Sequence, residues 1–354
     1  MIADDDPTAQ RLREAVWADP ASDAPRMVFA DYLLDHGDPM GDMIALQLER
    51  ARTGAAVSER ELELVVAHGR RMLGPVGLWI RRWTFERGFL AAATPVPEIP
   101  FEAATHALWS TVERLALTNS NHRVLDNPDL RALHTLHATD EVAFALARRT
   151  EPLPIRALAS ALPHVGLGLA GEHVDVFDHR GAFDRVKVLS LSAWHLERAL
   201  DRPVLESRLI TQLERLDLTF TSIRIDDLQM WRRWFDTSPL ASLSIQVPLA
   251  QDDPPPGVVP GQQFATRPTR FVCAAIDRAS AAITVELDEP TEDRHVADAL
   301  RILEAFGHGF AHVAIADRGV PSEIDTRQQA LIDGLRRGFT AVDVLKRPLR
   351  SLAP

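Results

Sequence analysis

The sequence predicts a mixed α/β chain in three parts: an N-terminal helical module, a solenoid of parallel strands, and a small C-terminal α/β unit. Three observations carry this expectation. Caps and prolines punctuate residues 1–75 into four short helices, the aliphatic pattern L-x-x-L-x-L returns after residue 110, and a proline-rich stretch at 248–268 precedes a segment of different texture. At 354 residues the chain exceeds the usual single-domain size, and 46% apolar with 25% charged residues is ordinary globular composition.

The helical module, residues 1–75, is read from its caps. Asp6 before Pro7 is an N-cap followed by proline at the first helical position, where the missing N–H costs nothing, and Asp19-Pro20 marks the far end. Asp23 before Ala24-Pro25 repeats the device. The helix from about 25 to 36 closes at Gly37, a residue suited to the left-handed position after a helix. Asp38 then caps the next helix, Pro39 opens it, and Asp42 sits in its first turn, where the helix dipole favours negative charge. Gly41, costly inside a helix, implies close approach to the preceding one. Ser58 and Glu61 form a capping box before Leu62, Val65 and Val66, and Gly74-Pro75 ends the fourth helix.

Within that module Arg26-Met-Val-Phe-Ala-Asp31-Tyr32-Leu33, then His36-Gly37-Asp38-Pro39-Met-Gly41-Asp42-Met-Ile44 and Leu46-Gln47-Leu48, resembles the bacterial repeat-companion domain, R-x-V-x-A-D-W-L-x-x-x-G-D-P-x-G-E-F-I-x-x-Q. Tyr32 stands for the usual Trp and Asp42 for the usual Glu. Leu73-Gly74-Pro75 and Arg87-Gly88-Phe89-Leu90 resemble the family's bridge out of the module. The resemblance implies leucine-rich repeats downstream and carries no catalytic activity.

The repeats, residues 76–247, are tested on the residues themselves. L-x-x-L-x-L occurs at Val112/Leu115/Leu117, Val186/Leu189/Leu191, Leu213/Leu216/Leu218 and Leu240/Leu243/Ile245, and positions 189, 216 and 243 are 27 residues apart. That spacing lies in the leucine-rich-repeat range. Weaker members are centred at Leu133 and Leu158, and the asparagine expected after each strand is mostly missing, with Thr221 and Trp194 in its place. A degenerate solenoid of about six turns is expected. Alternation then puts Lys187, Ser190, Arg215, Asp217, Thr219, Ser242, Ser244 and Gln246 on the exposed, concave face, which is polar and mixed in charge, as a surface for a protein partner.

Residues 248–268 hold six prolines and two glycines and read as a linker. In residues 269–354, FVCAAI and AAITVEL read as paired strands, 293–306 as a helix, HVAIA at 312–316 as a strand, 322–337 as a helix and AVDVL as a last strand. This segment hosts the alternative function, an enzyme or a nucleotide-responsive regulator.

Chemistry finds little foothold. Asp31, Asp35 and His36 could pair carboxylates on a helix face, but the spacing misses the calcium-loop pattern. Gly166, Gly168 and Gly171 fit G-x-G-x-x-G, yet Pro163 precedes them, Gly181 cuts off the helix that would follow, and a turn between repeats is the expectation. His173, Asp175, Asp178 and His179 fall in a return segment, and Cys273, the one cysteine, sits in an apolar strand as a buried hydrophobe. Trp231 and Trp234 are expected to pack the convex side with Met230 and Phe235. No catalytic, cofactor or metal residues are assigned. The net charge of −11 and the −7 balance of residues 1–50 disfavour nucleic acid as a partner, because duplex affinity comes from clustered Lys and Arg. No basic-then-apolar leader and no run of about 18 apolar residues is present, so neither export nor a membrane span is expected, and the compartment expected is the cytoplasm.

Overall fold

The computed structural model describes residues 6–118, 120–147, 149 and 151–161, then 181, 183–192, 208–219, 225–248, 271–278, 282–287, 312–317 and 342–346, with positions 301, 302, 305, 306 and 333. They form a mixed α/β chain whose strand pairs are mostly parallel. The described residues up to Arg156 belong to one compact unit and the described residues from Ala157 to a second.

The first unit begins with four helices: α1 Pro7–Ala18, α2 Ala24–Asp35, α3 Pro39–Thr53 and α4 Glu59–Met72. Asp6 accepts from the N–H groups of Thr8 and Ala9, and Asp38 from that of Met40, so both expected caps form. Gly37 has φ +65°, the N–H of Asp38 returns to the Leu33 carbonyl and that of Gly37 to Leu34, which is a Schellman closure. A Cβ on Gly41 would lie 2.9 Å from the Ala30 carbonyl oxygen, the close helix approach that this glycine implies. Val16, Phe29, Ala30, Leu33, Ile44 and Phe89 form the core beneath.

Two expected caps differ. Asp23 makes no cap bond; Ser22 Oγ accepts the Ala24 N–H instead, and the Asp23 carboxylate pairs with Arg87 at 3.2 Å. Ser58 accepts from the Glu61 N–H at 3.1 Å, but the Glu61 carboxylate is buried against Gln47 at 2.9 Å and Arg50 at 3.1 Å and does not reach back. Leu64 is buried, while Leu62 and Val66, the apolar residues after the capping box, are 50% and 70% exposed.

A 3-10 turn, Gly74–Trp79, leads into the hairpin of β1 Ile80–Glu86 and β2 Phe89–Pro95. Arg87 and Gly88 join them with φ +52° and +78°, the two positive values a two-residue type I′ turn demands. Parallel strands β3 Arg114–Ala116 and β4 Thr135–Ala138 follow, pairing Leu115 with Leu136. Leu136, and not Leu133, is therefore the central residue of that turn. Leu133 is equivalent to Val112, three residues earlier, and the expected frame is corrected accordingly.

In the second unit β5 Ala157–Ala161, β6 Val188–Ser192, β7 Arg215–Thr219 and β8 Ser242–Pro248 pair in parallel and in register. The register places Leu158, Leu189, Leu216 and Leu243 in one column, each at 1% exposure or less. A helix, Ile225–Thr237, buries Leu228, Trp231 and Phe235, as expected of the packing side. β9 Phe271–Asp277 then pairs antiparallel with β8 along seven residues, β10 Ala282–Leu287 antiparallel with β9, and β11 His312–Asp317 and β12 Val342–Lys346 extend the sheet in parallel. The repeat strands and the C-terminal strands thus share one sheet. Positions 301–302 and 305–306 are helical, with Ile302 and Phe306 buried.

Residues 249–268 of the proline-rich stretch, the glycines at 166, 168 and 171, the segment His173 to His179, Trp194, Thr221 and nearly all of 293–300 and 322–337 lie outside the described residues, as do the side chains of Thr219, Met230, Gln246 and Cys273.

Candidate functional site

The polar residues of the N-terminal motif are the first candidates, and they turn out to be a clamp. Arg26 is 1% exposed and donates through Nη2 to the Pro20 carbonyl at 2.8 Å and through Nη1 to the Arg87 carbonyl at 3.1 Å. Its guanidinium lies 4.8 Å from the centre of the Phe89 ring. Burial lowers its pKa to about 10, so it remains charged at neutral pH. Gln47, also buried, accepts the Gly88 N–H at 2.8 Å and donates to Glu61 at 2.9 Å. Arg26 and Gln47 thus hold the two residues of the hairpin turn from the helical side. A Cβ on Gly88 would come within 2.9 Å of the Ile44 Cα, so only glycine lets the turn seat there.

Arg87 extends the clamp outward. It donates to the carbonyls of Pro20 and Ala21 and pairs with Asp23 at 3.2 Å and Glu113 at 2.7 Å. His134, 3.6 Å from Glu113, and the closer Arg87 hold the Glu113 pKa down, against burial, to about 2. Arg26, Gln47, Arg87 and Glu113 thus all bond within the fold, with Arg26 Nε left as a buried donor lacking an acceptor. Asp31, Asp35 and His36 are exposed, with His36 Nδ1 2.7 Å from the Tyr32 carbonyl oxygen, and among the described residues no group of three His, Cys, Asp or Glu could hold a metal ion.

The strand face of the second unit is the second candidate. Register sets Val188, Arg215 and Ser242 in one row, Ser190, Asp217 and Ser244 in the next, and Ser192, Thr219 and Gln246 in a third. Lys187 is not in these rows. It precedes β6, and its carbonyl accepts the N–H groups of Glu214 and Arg215. Nor is the middle row exposed: Asp217 is 8% and Ser244 2% accessible, which corrects the alternation argument. Alternation assigns a side of the sheet and does not measure what else lies there. Asp217 accepts from Arg215 Nε at 2.6 Å and from Ser190 Oγ at 3.1 Å. Ser190 and Ser242 are half-buried.

What is open to solvent lies at the N-terminal ends of the strands. Lys187, Glu214 and Arg215 are exposed there, and Lys187 stands 3.6 Å from Glu214. Glu214 was missed on sequence although the 27-residue spacing points to it, since it occupies the position of Lys187 one repeat later. Asn121 was missed too. It is fully buried, donates to the Pro95 carbonyl at 3.2 Å and accepts the Thr118 N–H at 2.7 Å, bridging adjacent turns as the expected asparagine would. No described helix is long and apolar enough to cross a membrane. Comparison with protein-family models, with curated proteins and with solved structures finds no match.

Proposed function

We propose that the chain is a non-enzymatic protein-interaction scaffold, with a repeat-companion helical module followed by a degenerate leucine-rich-repeat solenoid whose strand side receives a protein partner. The buried column of Leu158, Leu189, Leu216 and Leu243 supports this reading, since a core built from one residue per repeat aligns the strand starts, where the exposed Lys187, Glu214 and Arg215 stand side by side. The bridging Asn121 supports the same architecture. The rim of Lys187, Glu214 and Arg215 supplies alternating charge, which selects a partner by complementarity and not by bulk affinity.

Charge reversal tests this at the rim. Lys187→Glu with Glu214→Lys exchanges two exposed charges and leaves Arg215 bonded to the buried Asp217, whose loss of that partner would damage the fold. The doubly reversed chain, folded by circular dichroism, should lose the proteins that the unaltered chain retains from its native cell extract. Retention of the same set would place the interaction elsewhere.

A further inference from the structure

A cavity of about 420 Å³ lies within the first unit, lined by residues of α1, of the C-terminal end of α4, of the β1–β2 hairpin and of the segment at 106–108. The volume is in the range of small-molecule sites. Its wall is largely apolar, with Leu33, Met72, Phe85, Phe89 and Leu108 contributing. The ionisable residues on it are Arg13, Asp38, His68, Arg71 and His106.

Their hydrogen bonds are unbalanced. Asp38 is the one carboxylate, and it is already used: Oδ1 accepts the Met40 N–H at 3.0 Å and Oδ2 faces Arg71 Nη2 at 3.3 Å. The donors are not. Arg13 is half-buried and, among the described residues, makes no hydrogen bond or ion pair; its guanidinium lies 6.0 Å from the centre of the Phe29 ring. Among the described residues His68 makes none either, and the Trp17 indole N–H finds no acceptor, its ring standing edge-on to His106 at 5.7 Å. His106 accepts the Leu108 N–H on Nδ1 at 3.0 Å, which puts the proton of the neutral ring on Nε2 as a further donor.

We propose that this cavity binds a small organic carboxylate, its anionic head on Arg13 with the His106 and Trp17 N–H groups, its apolar body against the phenylalanine and leucine wall. Three unspent donors on Arg13, Trp17 and His106, with His68 able to donate or accept, around one spent carboxylate call for an acceptor-rich ligand, and a part-buried guanidinium without a carboxylate calls for an anion. One unpaired permanent cation matches one negative charge. A dianion would remain half uncompensated, because Arg71 is already paired with Asp38.

The test is an NMR titration of the full chain with 4-phenylbutyrate and with its uncharged amide, watching the Trp17 indole N–H, assigned through Trp17→Phe. The acid should bind saturably and shift that resonance, with the amide weaker by roughly tenfold or more, as loss of a charge-assisted bond implies. Arg13→Gln should reduce the acid's affinity by a similar factor and leave the amide's unchanged; Arg13→Lys, which keeps the charge without the planar fork, should fall between. Should Arg13→Gln lose its fold, the lysine variant and His106→Asn decide the matter. Equal binding of acid and amide would leave only an apolar hole. Affinity indifferent to Arg13, or no saturable binding of either compound, would equally overturn the proposal.

Discussion

The helical module with its hairpin and the strand repeats of the second unit solve the same problem in different ways. In the first, register is set by directional bonds between residues far apart in sequence: Arg26 to the Arg87 carbonyl, Gln47 to the Gly88 N–H, Arg87 to Glu113. In the second, register is set by a column of leucines, and the polar bonds run one repeat at a time, as from Ser190 to Asp217 or Lys187 to Glu214. A clamp of buried polar groups tolerates one geometry, because each unpaired donor or acceptor costs its full desolvation. A hydrophobic column tolerates variation between repeats.

Substitutions should break the two regions in distinguishable ways. Gly88→Ala has the largest expected effect, on the order of 4 kcal/mol, because the new Cβ meets the Ile44 backbone and the turn needs positive φ. Urea unfolding would measure it, and amide exchange should rise in α2 and α3. Leu216→Ala comes next at about 3 kcal/mol, the usual cost of an unfilled core position. Its exchange signature should appear in β6, β7 and β8, whose leucines it stacks with.

Gln47→Ala should cost about 2 kcal/mol by stranding the Gly88 N–H in the core. Gln47→Glu sharpens the comparison. It restores the acceptor but sets a carboxylate beside the buried Glu61, so it should not recover stability as a mere size effect would. Loss of protection at the Gly88 amide reports the alanine variant directly.

What the sequence disclosed follows the same divide. Gly37, Asp38, Pro39 and Gly41 were legible because a cap and a close approach are decided within a few residues. Asp23 and Glu61 were misassigned because their carboxylates are claimed by Arg87 and by Gln47 with Arg50, and a local pattern carries no information about distant competitors. Leucines 189, 216 and 243 stack as their spacing implies, while the frame slipped at Leu133, where the interval is irregular. The strand face was legible as a side of the sheet, not as exposure, so Asp217 and Ser244 were placed correctly in register and wrongly in solvent. Donor excess around the cavity in the first unit had no sequence signal. Arg13, Trp17, His68 and His106 come together only through tertiary packing.

The smallest expected effect is also the one with the most specific pH signature. Glu113 has its pKa lowered from 4.5 to about 2 in the folded chain, so the native state binds fewer protons than the unfolded one between those values. Its contribution is therefore complete above about 4.5 and disappears as the pH falls towards 2. His106 acts in the same direction at higher pH: burial and then Arg13 depress it below 6.5, so stability is lost as the pH falls through and below that value. Glu113→Gln should cost about 1 kcal/mol at neutral pH, modest because solvent screens the partly exposed Arg87 and His134. The gap in urea midpoint between this variant and the unaltered chain should persist down to about pH 4.5 and close between 4.5 and 2, below the range in which burial makes His106 and His137 act. A gap that closed already at pH 6 would assign the stabilisation to a histidine and not to the clamp's carboxylate.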